Sequence, residues 1–276
     1  MNNPLRKNFR TPTSQYRPIS NDIFYKWTKT DPSLQLLDIY PMTSKDEINT
    51  KNPDLLISGK STALLIQSCV PQIVDVWSIP SIDIDPLLIA IRIATYGSKM
   101  EITNKCSHCD HENTNDLDLA QYVSSIQIPD YSKGINLDNG LIVFLRPLTY
   151  KESSDLAMEM LEIKKSMEQI ELMEDQEKQQ EYLSLYLDKS LEVSFKTLAY
   201  ATDCIKTPDE VVSEKEYIYE FYENSSKLVI DKIKDQIDEN SKLIEFKPIS
   251  IKCQSCEKDN NVIVNFDYSS FFDSRS

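Results

Sequence analysis

The chain has 276 residues, 40% apolar and 27% charged, enough for one large domain or two small ones around a sizeable core. Acidic residues outnumber basic ones 44 to 30, and a formal charge of −14 argues against a general nucleic-acid binder, which needs a cationic face. With only two histidines, His108 and His111, and four glycines, the sequence lacks the material for dispersed histidine catalysis or a glycine-rich phosphate loop.

Residues 1–33 read as an extended basic arm. Six Lys/Arg stand against the single acid Asp22 in the first 30 residues, and four prolines occur by position 32. Arg6, Lys7, Arg10 and Arg17 are the candidate docking residues for an acidic neighbour, another copy or a partner subunit. A solvated tail would have the same composition. The N-terminus lacks the apolar run of a signal peptide, and no stretch approaches the roughly 20 apolar residues of a membrane helix. The expected site of synthesis is therefore a cytoplasm, where CxxC pairs serve as metal ligands or redox groups more often than as disulfides.

Residues 34–148, together with 246–276, are expected to form the core. Thr43-x-x-Asp46 has the pattern of a helix N-terminus, and Pro53 suits the first turn of a second helix. Leu64, Leu65 and Cys69 then fall on one face. The run Ser58-Gly59-Lys60-Ser61-Thr62 resembles the end of a phosphate-binding loop, but Asp54 stands where that loop requires glycine. Asp85-Pro86 opens a helix, LLIAIRIATY, that is apolar nearly all round and so belongs in a core, with Gly97 at its C-cap. Cys69 and Cys204 read as small hydrophobes. Asp138-Asn139-Gly140 is hairpin-turn chemistry between Ile135–Leu137 and Leu141–Leu145.

Residues 149–245 read as an acidic helical insert with three helices. Thr149-x-x-Glu152 caps the first, a second covers about 182–204, and Thr207-Pro208-x-Glu210 caps a third that runs to about Asn240. In the second, Leu183, Leu187, Leu191, Phe195 and Leu198 recur at helical spacing. Residues 150–245 hold 24 acids and 12 bases, which accounts for most of the net charge.

The sharpest chemical signal is Cys106-x-x-Cys109 with Cys253-x-x-Cys256. A two-residue gap lets both thiolates of a turn reach one ion, and two such turns complete a tetrahedral sulfur site suited to structural Zn²⁺. The flanks repeat as well. At an offset of 147, Ile102 aligns with Ile249, Lys105 with Lys252, Asn113 with Asn260, Leu117 with Val264, Asp118 with Asn265 and Leu119 with Phe266. Both segments read as strand, CxxC turn, polar loop, strand. The fold class expected is α+β: an N-terminal helical or mixed unit and two zinc-knuckle β-hairpins joined in one four-cysteine site, with a β-hairpin and a three-helix insert between them. Two alternatives remain at this point, namely separate redox CxxC sites and a site in which His108 or His111 replaces one thiolate.

Several further segments carry a resemblance. They are Pro41-Met42-Thr43-Ser44-Lys45-Asp46-Glu47, Ser68-Cys69-Val70-Pro71, the run Ile84 to Met100 with its AIRIATYG, the first CxxC, and Arg146-Pro147-Leu148-Thr149-Tyr150-Lys151-Glu152. In this order they resemble a family of baseplate proteins of contractile-tailed (T-even-like) bacteriophages, assigned to the central hub. The likeness covers about residues 6–152 and then the second CxxC. Such knuckles often read CPxCG, whereas the first here reads CSHCDH and lacks the glycine. The resemblance implies a non-enzymatic virion component or assembly factor of the tail baseplate. Its partners would be other hub or wedge proteins, or further copies of itself, with no membrane and no small-molecule substrate. The competing reading is a cytoplasmic zinc-ribbon adaptor for nucleic acid or a polymerase, which the acidic composition disfavours.

Overall fold

The fold, taken from a computed structural model, is described for residues 5, 9–20, 36–52, 58–138, 140–173, 175–262 and 271–272. Eight α-helices and small antiparallel sheets occur among the described residues, so the chain is mixed α and β. It divides into two units, residues 1–128 with 244–276, and residues 129–243.

In the first unit, β1 (Ser14–Tyr16) pairs antiparallel with β2 (Leu37–Ile39). Helix α1 (Ser44–Thr50) starts in a capping box, with the Thr43 hydroxyl accepting from the Asp46 N–H and the Asp46 carboxylate accepting from the Thr43 N–H. The helix start expected at Pro53 lies outside the described residues, and α2 spans Lys60–Cys69. Helix α3 (Ile84–Tyr96) buries Leu87, Leu88, Ile89 and Ile91, as its apolar circumference requires, and Gly97 ends it with φ 94°. These residues pack in a core that includes Leu37, Ile39, Leu65, Ile66 and Ile79. The hairpin β3 (Lys99–Lys105) and β4 (Glu112–Asp118) follows, then the short helix α4 (Leu119–Ser124).

Part of the basic arm is anchored. Arg10 is held by the fold itself. Its guanidinium donates to the carbonyls of Pro41 (2.6 Å) and Ser68 and to the Ser68 hydroxyl (2.8 Å), and it pairs with Asp46 at 3.3 Å. Farther along, the buried Asp83 carboxylate accepts from the N–H groups of Ile19 and Ser20 and from the Tyr16 hydroxyl. Burial pushes Asp83 up to about 6. Arg10 satisfies backbone acceptors and Asp83 backbone donors that would otherwise be unpaired when the segment folds onto the core. Arg17 is exposed, while Arg6 and Lys7 lie outside the described residues.

The second unit contains the central hairpin, which sequence patterning groups with the core. The reason is strand pairing. β5 (Ile135–Asn136) and β6 (Ile142–Leu145) continue into β7 (Thr202–Lys206) and β8 (Val211–Val212), in the order β5-β6-β7-β8. The β5–β6 turn includes Gly140 at φ 81°, a conformation that favours glycine. Helix α5 (Tyr150–Glu171) starts in the expected Thr149–Glu152 capping box, and α6 covers Gln176–Ala201.

Two expectations for the insert are corrected. Residues 202–204, expected as the tail of a helix, belong instead to the strand β7 because it pairs with β6. Thr207 and Glu210 close the β7–β8 turn rather than capping a helix. The helix expected up to Asn240 is two, α7 (Lys215–Glu223) and α8 (Lys227–Ile244). Among its described residues the insert thus has four helices and contributes β7 and β8 to the sheet. Val143, Leu145, Leu198, Ile205, Ile218 and Tyr222 form its core, and the Tyr222 and Thr202 hydroxyls meet at 2.6 Å.

Candidate metal centre

Strands β3 and β4 bring Lys105 opposite Glu112, and the chain between them makes the first CxxC turn. In β9 (Ile249–Lys252) and β10 (Asp259–Val262), Lys252 lies opposite Asp259 and encloses the second. The two turns match bond for bond at the offset of 147. Cys106 N–H donates to the His111 carbonyl and Cys253 N–H to that of Lys258, both at 2.9 Å. Asp110 N–H donates to the Cys106 carbonyl and Glu257 N–H to that of Cys253, both at 3.0 Å. Asp110 and Glu257 occupy the left-handed region, at φ 56° and 58°. That is the position where glycine would be unstrained, so each turn forms at a cost of about 1–2 kcal/mol. The aligned positions Val264, Asn265 and Phe266 lie outside the described residues.

The four sulfurs converge. Cys106 and Cys256 Sγ are 3.7 Å apart, as are Cys109 and Cys253 Sγ, and all four sulfur atoms lie within 4.8 Å of one another. A tetrahedral ion with metal–sulfur bonds of about 2.3 Å places its ligands about 3.8 Å apart. All four cysteines are free, and both 3.7 Å separations are far from the roughly 2.05 Å of a disulfide. The donor set and spacing therefore fit a tetrahedral thiolate metal centre. His108 and His111 are exposed and stand outside the sulfur cluster.

Backbone donors prepare the sulfurs for charge. The His108 N–H points at Cys106 Sγ and the Ser255 N–H at Cys253 Sγ, both at 3.4 Å. Hydrogen bonds from the Cys256 and Ser255 backbones draw the Cys253 thiol down to about 6. Cys109 moves the other way. Although the His111 N–H favours its thiolate, desolvation and the neighbouring sulfurs push it up to about 12. Four thiolates this close repel one another unless a cation lies among them.

Asn113 and Asn260, both buried, join the hairpins. Asn113 Oδ1 accepts from the Gln254 N–H at 2.9 Å, and Asn260 Oδ1 accepts from the Ser107 N–H at 3.2 Å. Positions 107 and 254 are also 147 apart, so each hairpin gives its partner the bond it receives. The sulfur contacts exchange in the same way, giving the pair a local pseudo-two-fold relation. The alignment of the two asparagines is visible in the sequence. Their bracing role is not, because it depends on the hairpins meeting.

A family model described as "T4 bacteriophage base plate protein" matches residues 28–273. The chain belongs to that family. No curated protein and no solved structure shows significant similarity to it. Membership places the protein in the phage tail, among other base plate proteins, and points to a structural role. Among the described residues, no helix is long and apolar enough to cross a membrane. Elsewhere, burial pushes the Cys69 thiol up to about 12, with Asp46 adding to the shift, the reverse of nucleophile activation. The Gly59-Lys60-Ser61 segment is the start of α2, where the Ser61 hydroxyl donates to the Asn49 carbonyl at 2.8 Å.

Proposed function

We propose that this base plate protein is a structural component or assembly factor of the hub, with its two CxxC hairpins fastened together by a structural Zn²⁺. The observation that carries the reading is the sulfur quartet, with two contacts at 3.7 Å and reciprocal bracing around it. Cys106, Cys109, Cys253 and Cys256 would hold the ion in a closed tetrahedral shell. Zn²⁺ bound there supplies charge compensation and a cross-link, with no open position for a substrate. The N–H groups of His108 and Ser255 support two of the thiolates, and Asn113 and Asn260 keep the turns in register. Two distant stretches of the chain are thereby tied together, while residues 129–243 form a separately packed acidic body.

Docking to neighbouring hub or wedge subunits would use the basic segment through Arg6, Lys7 and Arg17. Arg10 fixes the root of that segment on the fold. The reading is tested by capturing native complexes through a tagged chain and weighing both protein and metal. Hub subunits together with about one zinc per chain is the expected result. Metal-free complexes with intact thiols, or salt-sensitive retention on DNA in place of base plate subunits, would overturn it.

A further inference from the structure

In helix α6, Leu183, Leu187 and Leu191 follow one another at four-residue steps, continuing the row that ends at the buried Leu198. Helical spacing predicts an inward row, yet Leu187 and Leu191 are each 53% exposed and Leu183 is exposed as well. The row enters the core only at its C-terminal end, and its first half is left as a leucine ridge. Along one margin runs an exposed acidic row, Glu177, Glu181, Asp188 and Glu192, at steps of four, seven and four residues that keep it on one face. An apolar ridge with an acidic margin complements a segment combining apolar and basic side chains.

The chain itself contains such a segment in Leu5-Arg6-Lys7-Asn8-Phe9. Leu5 and Phe9 are exposed, and the two bases lie between them. Arg10 follows at once and is bound to Pro41, Asp46 and Ser68 of its own fold. Charge is segregated along the sequence in the same sense, with six bases and one acid in residues 1–30 and 24 acids in residues 150–245.

We propose that the leucine ridge of α6 is the acceptor for the basic N-terminal segment of a second copy of this chain. Leu5 and Phe9 lie on the ridge formed by Leu183, Leu187 and Leu191, while Arg6 and Lys7 face the acidic row. Two copies can exchange segments reciprocally, giving a closed dimer with two equivalent contacts. The inference rests on the docking role of the segment and adds the surface that receives it.

The test is a charge swap on the full-length chain, read as sedimentation mass against concentration at low salt. One variant carries Arg6→Glu and Lys7→Glu, the other Glu181→Lys and Asp188→Lys. These α6 positions are exposed, and an unchanged helical circular dichroism signal verifies the fold. Wild type is expected to dimerise, and each variant alone to associate about tenfold or more weakly. A mixture of the two variants should recover the dimer, because each supplies what the other has reversed. A monomeric wild type, or variants with undiminished association, would overturn the proposal. So would a mixture that stays monomeric while all four changes in one chain restore wild-type behaviour, since the segment would then dock within its own chain. If reversing Arg6 and Lys7 abolishes capture of hub subunits while the α6 changes leave self-association intact, the docking role stands and this acceptor falls.

Discussion

The paired hairpins and the helical unit bury different kinds of side chain at their centres. Around the sulfurs the buried residues are Cys106, Cys253, Asn113 and Asn260, and Asn260 is the one buried residue in strands β9 and β10. The helical unit buries Val143, Leu145, Leu198, Ile205, Ile218 and Tyr222. Apolar packing needs no ligand, whereas a polar centre with four converging thiols has little hydrophobic stabilisation without its ion. On the zinc reading proposed above, one chain combines a metal-dependent joint with a body whose packing needs no metal.

Removing the ion breaks this comparison most strongly. Cys253→Ser, or chelation, is expected to forfeit metal-binding free energy on the order of 10 kcal/mol. Amide exchange should then accelerate through residues 99–118 and 249–262, while α6 and β7 keep their protection. Equal loss in both units would show that the body also depends on the metal. The converse change is Leu198→Ala, expected to cost about 2–5 kcal/mol through a cavity in the helical core. Thermal unfolding should shift for that unit alone, with the zinc content measured by atomic absorption unchanged.

Smaller changes sharpen the pseudo-two-fold relation. Asn113→Ala and Asn260→Ala each remove the hydrogen bond to the opposite turn, at the Gln254 or the Ser107 N–H, at a cost of about 0.5–1.5 kcal/mol. Because the bonds are reciprocal, zinc affinity measured by competition should fall to a similar extent in both. A large asymmetry would show that one hairpin dominates. Glu257→Gly should act in the opposite direction and raise stability by about 1 kcal/mol, by relieving a left-handed non-glycine residue. Denaturant titration of the zinc-loaded protein reads this effect.

What was legible in the sequence follows from the range of the forces involved. The CxxC turns, their repeat at 147 residues, and the Thr43 and Thr149 caps are local patterns, and each carries its own chemistry. The strand at 202–206 was not legible, because its apolar residues suit a helix until β6 pairs with them. Likewise Thr207-Pro208-x-Glu210 has the pattern of a helix cap, while the pairing of β7 with β8 makes it a turn. Arg10 looked like a surface base because its partners, Asp46 and Ser68, lie 36 and 58 residues away. The leucine row of α6 has the periodicity of burial, and half of it is exposed because no element of the described second unit covers it.

The central claim is that four thiolates from the two hairpins hold one zinc ion. X-ray absorption at the zinc edge of the purified full-length chain tests it most directly. The account predicts a first shell of four sulfurs at about 2.3 Å, with no nitrogen or oxygen ligand. A shell containing imidazole nitrogen, or only two sulfurs per ion, would contradict it.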